Sequence, residues 1–275
     1  MFFAFLILIP TTMALGESTE KDIEEFLQKE LVDNICLIRN FYEGNNLQFD
    51  SQGELVSKNS PGIWTVSGFF QPKKVKLSKD SITLTGKRLY WTYNRELQKQ
   101  QVIPVPKNIK INIKRSLEQN DISILGELIR KIFLEYNESL AEYVPVYWQN
   151  IVGNKFKIVP KAPTENLEKL GGITEPAELQ SIPLPQLEHP EFISGTRPGY
   201  SREARRLRLA GKVILNGVVD VQGNIKITEV MNPLGARLEE SAILTVEKTW
   251  KFRPALRNGI PTETSVAVEI NFFLI

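Results

Sequence analysis

Gly211-Lys212-Val213-Ile214-Leu215-Asn216-Gly217-Val218-Val219-Asp220-Val221-Gln222-Gly223-Asn224-Ile225-Lys226-Ile227-Thr228-Glu229-Val230 decides the fold of the C-terminal third of this chain. Two β-branched runs flank Asp220-Val221-Gln222-Gly223, a turn with Gly at the position that favours a left-handed backbone. The reading is a hairpin, with strands over Lys212 to Val219 and Asn224 to Val230. A third strand follows at Thr264 to Leu274. Its alternation sends Val266, Val268, Ile270, Phe272 and Leu274 to one face and Ser265, Ala267, Glu269 and Asn271 to the other.

Helices complete the pattern. Ser201 is placed to cap a short helix running to Arg208, with Ala204, Leu207 and Leu209 facing inward, and Gly211 ends it. A second helix is expected from Leu238 to Trp250, where Leu238, Ala242, Val246 and Trp250 recur every four residues. Arg253-Pro254 stops it, and Asn258-Gly259 with Pro261 forms the next turn. The order is α-β-β-α-β, an antiparallel three-stranded sheet with two helices on one face, and the fold class of the whole chain is α+β in two domains.

Several separated motifs resemble the TonB C-terminal domain. They are Tyr200, Ala204-Arg205, Gly211-Lys212-Val213, Val219-Asp220-Val221-Gln222-Gly223, Leu238-Glu239 with Ala242, Trp250-Lys251-Phe252-Arg253-Pro254-Ala255, and the turn Asn258-Gly259-Ile260-Pro261 before an alternating last strand. Ser201 stands where the family commonly has Pro. The resemblance implies a binding module that adds a short periplasmic peptide segment of outer-membrane TonB-dependent transporters to its last strand. The implied contacts are Thr264, Ser265, Val266, Ala267, Val268, Glu269, Ile270 and Asn271, with Tyr200, Arg202 and Arg205 as further partner contacts. It also implies energy transduction from an inner-membrane proton-channel motor complex. A secreted structural or assembly module that uses the same fold without energising transport is the alternative.

Residues 1–16 read as a targeting segment. Phe2 to Leu15 is an uncharged apolar run of 14 residues interrupted by Pro10, short of the roughly 20 needed to span a bilayer. Ala14-Leu15-Gly16 suits a signal peptidase, which implies a cleaved signal and a periplasmic protein; a short membrane anchor is the alternative.

Residues 20–152 read as one mixed domain of unknown function. A helix opens at Asp22 with Ile23, Phe26, Leu27 and Leu31 on one stripe, and another follows Asp121 with Leu125, Leu128, Ile129, Ile132 and Phe133. Between them lie expected strands at 36–42, 53–56, 63–66, 75–77, 82–85, 89–93 and 109–113. Trp64, Tyr90, Trp91, Tyr93, Tyr147 and Trp148 are compatible with a ligand groove and equally with core packing. Residues 153–198 read as a Pro-rich linker, holding Ile182-Pro183-Leu184-Pro185 and His189-Pro190.

Composition narrows the chemistry. A formal net charge of +2 over 275 residues gives no reason to expect nucleic acid. One Cys and one His leave no disulfide and no Cys- or His-based metal or catalytic cluster to expect, so neither cofactor nor enzyme activity is anticipated.

Overall fold

The structure is a computed structural model that describes residues 18–94, 99–116, 120–135, 138–155 and 187–274. The expected targeting segment and most of the expected linker lie outside these residues.

Helix α1 (Glu20–Leu31) begins with a capping box: Thr19 accepts from the Asp22 amide and Asp22 reaches back to the Thr19 amide at 2.9 Å. Its Ile23, Leu27 and Leu31 are fully buried. Strands β1 (Cys36–Leu37) and β2 (Asn46–Phe49) are short. A single helical turn, α2 (Trp64–Ser67), then leads into the long strands β3 (Phe69–Ser78), β4 (Ser81–Asn94) and β5 (Lys99–Lys114). These five strands form one sheet in the order β1-β3-β4-β5-β2, antiparallel except where β2 runs parallel to β5. Pro104 and Pro106 sit in β5 where its register with β4 breaks, between Lys87 and Leu89, as strand prolines must. Helix α3 (Ile122–Ile132), capped by Asp121, joins α1 in covering the sheet; Leu125, Leu128, Ile129 and Ile132 are buried as the stripe predicts. Helix α4 (Val146–Lys155) follows.

Three sequence expectations fail in this region. Trp64-Thr65-Val66 is helical rather than extended, and all four α2 side chains are buried. Four residues, with Thr65 and Ser67 alternating with Trp64 and Val66, are too few to separate strand from helix, so packing decides. The segment 36–42 is extended only at β1, because Arg39–Phe41 folds into a 3₁₀ turn with Asn40 and Phe41 at φ 57° and 51°. The segment 53–56 keeps only a bridge from Leu55 to Phe49.

The C-terminal part follows the expected order closely. Strands β6 (Leu187–Glu188) and β7 (Glu191–Ser194) precede α5 (Arg202–Leu207), β8 (Gly211–Val219), β9 (Ile225–Asn232) and α6 (Leu238–Thr249). Then come β10 (Lys251–Arg253), β11 (Ala255–Arg257), β12 (Ile260–Thr262) and β13 (Thr264–Phe272). The principal sheet is antiparallel in the order β13-β8-β9, and Val213, Leu215, Val219, Val268, Ile270 and Phe272 face the helices. Ala204, Leu238, Ala242 and Val246 are fully buried against that face. The β11–β12 hairpin closes through Asn258 and Gly259, both with positive φ (52° and 77°), the two-residue turn that such a pair favours.

Residues 187–194, read as linker, add strands instead. Strand β6 pairs with β11 and β7 with β10. Trp250, which the four-residue repeat places beside buried Leu238, Ala242 and Val246, is itself half-buried and fixes this segment: its ring packs on Phe192 at 4.8 Å and its Nε1 donates to Thr196 O at 2.9 Å.

The two halves share a hydrophobic core. Trp64, Trp91 and Trp148 form a buried triad with centroid separations of 4.8, 5.2 and 5.8 Å, continuous with the residues under β8 and β9. The loop before α6 extends β4 by one bridge, Thr92 to Gly235, with Tyr93 N donating to Leu234 O.

Candidate partner-binding edge

Strand β13 pairs with β8 over its full length, from Thr264 opposite Val219 to Phe272 opposite Gly211. Among the described residues no strand lies on its other side. An antiparallel strand turns the N–H and C=O of alternate residues toward each neighbour, so every second residue of β13 presents its backbone outward. The eight residues expected to receive a partner, Thr264 to Asn271, therefore all lie on the open edge of the sheet. Ser265, Ala267, Glu269 and Asn271 are exposed, and Lys212 Nζ pairs with Glu269 at 2.7 Å on that face.

The opposite edge is occupied. Helices α4 and α6 pack against β9, and the Glu247 carboxylate takes the Ile227 amide at 2.9 Å while pairing with Lys226. The sheet thus has one closed edge and one open edge.

Tyr200 joins the open edge to α5. Its ring meets Phe272, the last residue of β13, edge-on at 5.5 Å, and the Arg205 guanidinium lies 5.9 Å from the Tyr200 centroid. Burial pushes the Tyr200 phenol up from its usual range. Ser201 caps α5 by accepting from the Ala204 amide and ties it to the loop before α6 by donating to Ala236 O at 2.6 Å. Arg202 and Arg205 are exposed on α5. The structure gathers Tyr200, Arg205 and the end of β13, whereas Arg202 makes no comparable contact with the strand.

Sequence reasoning missed two buried carboxylates on α6. Glu239 is fully buried and accepts from the Leu234 and Gly235 amides, the latter at 2.9 Å. Glu240, only 8% exposed, accepts from Trp148 Nε1 at 2.9 Å. Burial, and then the charge of Glu239, push the Glu240 carboxyl up to about 7. The available signal was position: Glu239 precedes Ala242 by three residues and Val246 by seven, on the inward stripe.

Among the described residues no group of three His, Cys, Asp or Glu is arranged to hold a metal ion. None of the helices there is long and apolar enough to cross a membrane. Burial pushes the Cys36 thiol up to about 12, which leaves it inert as a nucleophile.

The sheet order defines a small α+β domain with one open edge, and this domain resembles known proteins. Residues 196–274 match the family described as Gram-negative bacterial TonB protein C-terminal. Protein TonB of Vibrio cholerae serotype O1 (strain ATCC 39315 / El Tor Inaba N16961) is 28% identical over 89 residues, 32% of this chain. The match spans 36% of that relative, about a third of its length. The solution structure of the Pseudomonas aeruginosa TonB C-terminal domain matches 31% of this chain and 86% of its own, at 20% identity and a TM-score of 0.26.

Proposed function

We propose that this protein is a TonB-like, non-catalytic adaptor of the cell envelope, whose C-terminal domain takes up a short periplasmic segment of an outer-membrane transporter along β13. The observation that carries the reading is the asymmetry of the sheet: β13 is open along its nine residues, while β9 is covered by α4, α6 and the Glu247 carboxylate. Four or so backbone bonds at ~0.5–1.5 kcal/mol each supply roughly 2–6 kcal/mol, reversible binding that tolerates many sequences. Side-chain contacts at Tyr200 and Arg205 supply selectivity. In this reading the N-terminal segment directs the chain to the periplasm, and coupling to an inner-membrane proton-driven motor supplies the work.

A peptide copied from the periplasmic segment of such a transporter tests the proposal. Ala267→Pro removes a backbone donor from the edge and abolishes binding, whereas Ala267→Ser leaves it nearly intact. Circular dichroism establishes that the proline variant folds, with Glu269→Pro as the replacement if it does not. A folded proline variant that binds like wild type refutes strand addition at this edge.

The continuous core between the two halves favours a second reading, a structural or assembly module that does not energise transport. The two readings part on transport: removing an adaptor abolishes energised uptake, while removing an assembly module leaves it intact.

A further inference from the structure

Helices α1 and α3 cover one face of the five-stranded sheet, and the strand register shows what stands on the other. Lys74, Thr85, Lys110 and Asn46 lie side by side across β3, β4, β5 and β2. Lys76, Thr83, Asn112 and Gln48 form the next row. The flanking rows place Lys87 between Gln71 and Asn108, and Ser81 between Ser78 and Lys114. Side chains alternate along a strand, so this face opposes Val75, Ile82, Leu84, Ile109, Ile111 and Ile113, which are buried.

Lys74, Lys76, Lys110 and Lys114 are exposed, and Lys87 is partly so. Every other position in the four rows is Ser, Thr, Asn or Gln. The face therefore holds a cation in each row and no carboxylate, apolar or aromatic side chain. Among the described residues none of these lysines is in an ion pair. The carboxylates beside the face stand outside its rows: Asp33 pairs with Lys73 at 2.7 Å, and Asp80 lies in the β3–β4 turn. Like charges on one sheet face repel, and the whole chain carries a net charge of only +2. The concentration of cations is local and has no anion of its own.

This chemistry selects the partner. Cations spread over four rows suit distributed negative charge rather than one anion. Lysine lacks the bidentate fork of arginine, and no ring is present for a base to stack on, which disfavours nucleic acid. With no apolar side chain to insert, contact stays at the level of lipid headgroups. The chain also enters the domain at this end of the sheet. Ser18 N donates to Asn120 O at 3.3 Å, Asn120 accepts from Arg115 beside Lys114, and the apolar run Phe2 to Leu15 precedes Ser18 in sequence.

We propose that this face of β2, β3, β4 and β5 docks on an anionic lipid surface, with its lysines lying over the headgroups. The surface is separate from the β13 edge and does not depend on strand addition there.

The probes are vesicles of phosphatidylcholine alone and of equal parts phosphatidylcholine and phosphatidylglycerol, mixed with the full chain and separated by flotation. Binding to the anionic vesicles is expected, and it should weaken as salt is raised. Each lysine near an anionic surface contributes about fivefold in partitioning, so Lys74→Gln, Lys76→Gln and Lys110→Gln together should weaken it about a hundredfold. Lys21→Gln, Lys29→Gln and Lys131→Gln remove the same charge from exposed positions on α1 and α3, across the sheet. That control should bind within about twofold of wild type, because screening confines the attraction to the face that touches lipid. Thermal melts establish that both triple variants fold. Equal binding to the two kinds of vesicle, wild-type binding by the first triple variant, or equal loss in both would each overturn the proposal. Tighter binding to random-sequence duplex DNA than to the anionic vesicles would overturn it in favour of nucleic acid.

Discussion

Trp148 Nε1 donates to Glu240 Oε1 at 2.9 Å across 92 positions of sequence, linking α4 to α6 through a fully buried indole and a buried carboxylate. The bond anchors the joint between the two halves, and it makes that joint sensitive to pH. The folded state holds the Glu240 carboxyl near 7, above the 4.5 of an ordinary Glu, because burial and Glu239 disfavour its charge. A raised carboxyl contributes most stability below the unfolded value and loses it as pH rises through the folded one. Wild type should therefore lose stability between about pH 4.5 and 7 relative to Glu240→Gln. Thermal melts of both proteins across that range check the sign: the variant gains on wild type as pH rises and the difference levels off above 7. A constant difference across the range would show that Glu240 is ionised in the fold throughout.

Gly235 offers a second probe of the joint. It has φ 90° and bridges to Thr92, and a Cβ at this position would overlap Trp91 O. Gly235→Ala combines a left-handed backbone with a steric overlap on backbone that cannot swing aside, so it should cost about 2 kcal/mol or more. Denaturant unfolding of the full chain measures the loss. Gly259→Ala is the control: it shares the positive φ (77°) but meets no neighbouring atom, and it should cost about half as much.

The C-terminal domain was legible because local signals agree along it. Turn glycines, a strictly alternating last strand and a four-residue apolar repeat point to the same sheet, and α6 runs from Leu238 to Thr249 where Leu238 to Trp250 was expected. What escaped depends on partners distant in sequence. Trp64–Ser67 is a helical turn buried beside Trp91 and Trp148, and nothing in the four residues Trp64-Thr65-Val66-Ser67 announces that. Residues 187–194 look like linker because β6 and β7 hold no apolar alternation; each finds its register only on β11 or β10. Glu240 carries no signal of burial in the sequence, because its partner Trp148 lies 92 positions away. The β13 edge could be named in advance because the resemblance to the TonB C-terminal domain implies it, whereas the Trp148–Glu240 contact requires both halves to be docked.

The aromatic clasp on residues 191–196 gives a third prediction. Trp250 packs on Phe192 and Phe252, and Gly195 passes so close under the indole that a Cβ would overlap the ring. A fully buried Trp truncated to Ala costs about 3–5 kcal/mol; half-buried Trp250 should cost about 1–3 kcal/mol. Gly195→Ala should free β7 by displacing the ring while leaving it present. Hydrogen exchange should then show faster exchange at β7 and β10 in both variants, with β8 and β13 unchanged. Uniformly faster exchange through the C-terminal domain would instead make Trp250 part of the global core.

The last prediction concerns how firmly the two halves hold together. The Trp64–Trp91–Trp148 triad, the Thr92–Gly235 bridge and the Trp148–Glu240 bond all cross from one half to the other. Residues joined by one apolar core unfold together, because separating them exposes the surface that stabilises each. The full chain should therefore melt in one transition, and covalent continuity between residues 156 and 186 should not be needed to keep the halves in contact. A specific protease site inserted near residue 170 tests this directly. After complete cleavage the two fragments should co-elute on gel filtration at the mass of the intact chain and melt as one unit. Trp148→Ala in the same background removes one wall of the triad and the donor to Glu240, so it should separate the fragments or split the melt in two. Fragments that part immediately after cleavage, each still folded, would show that the shared core contributes little, and the C-terminal domain would then be a freely tethered module able to reach a partner with β13 on its own.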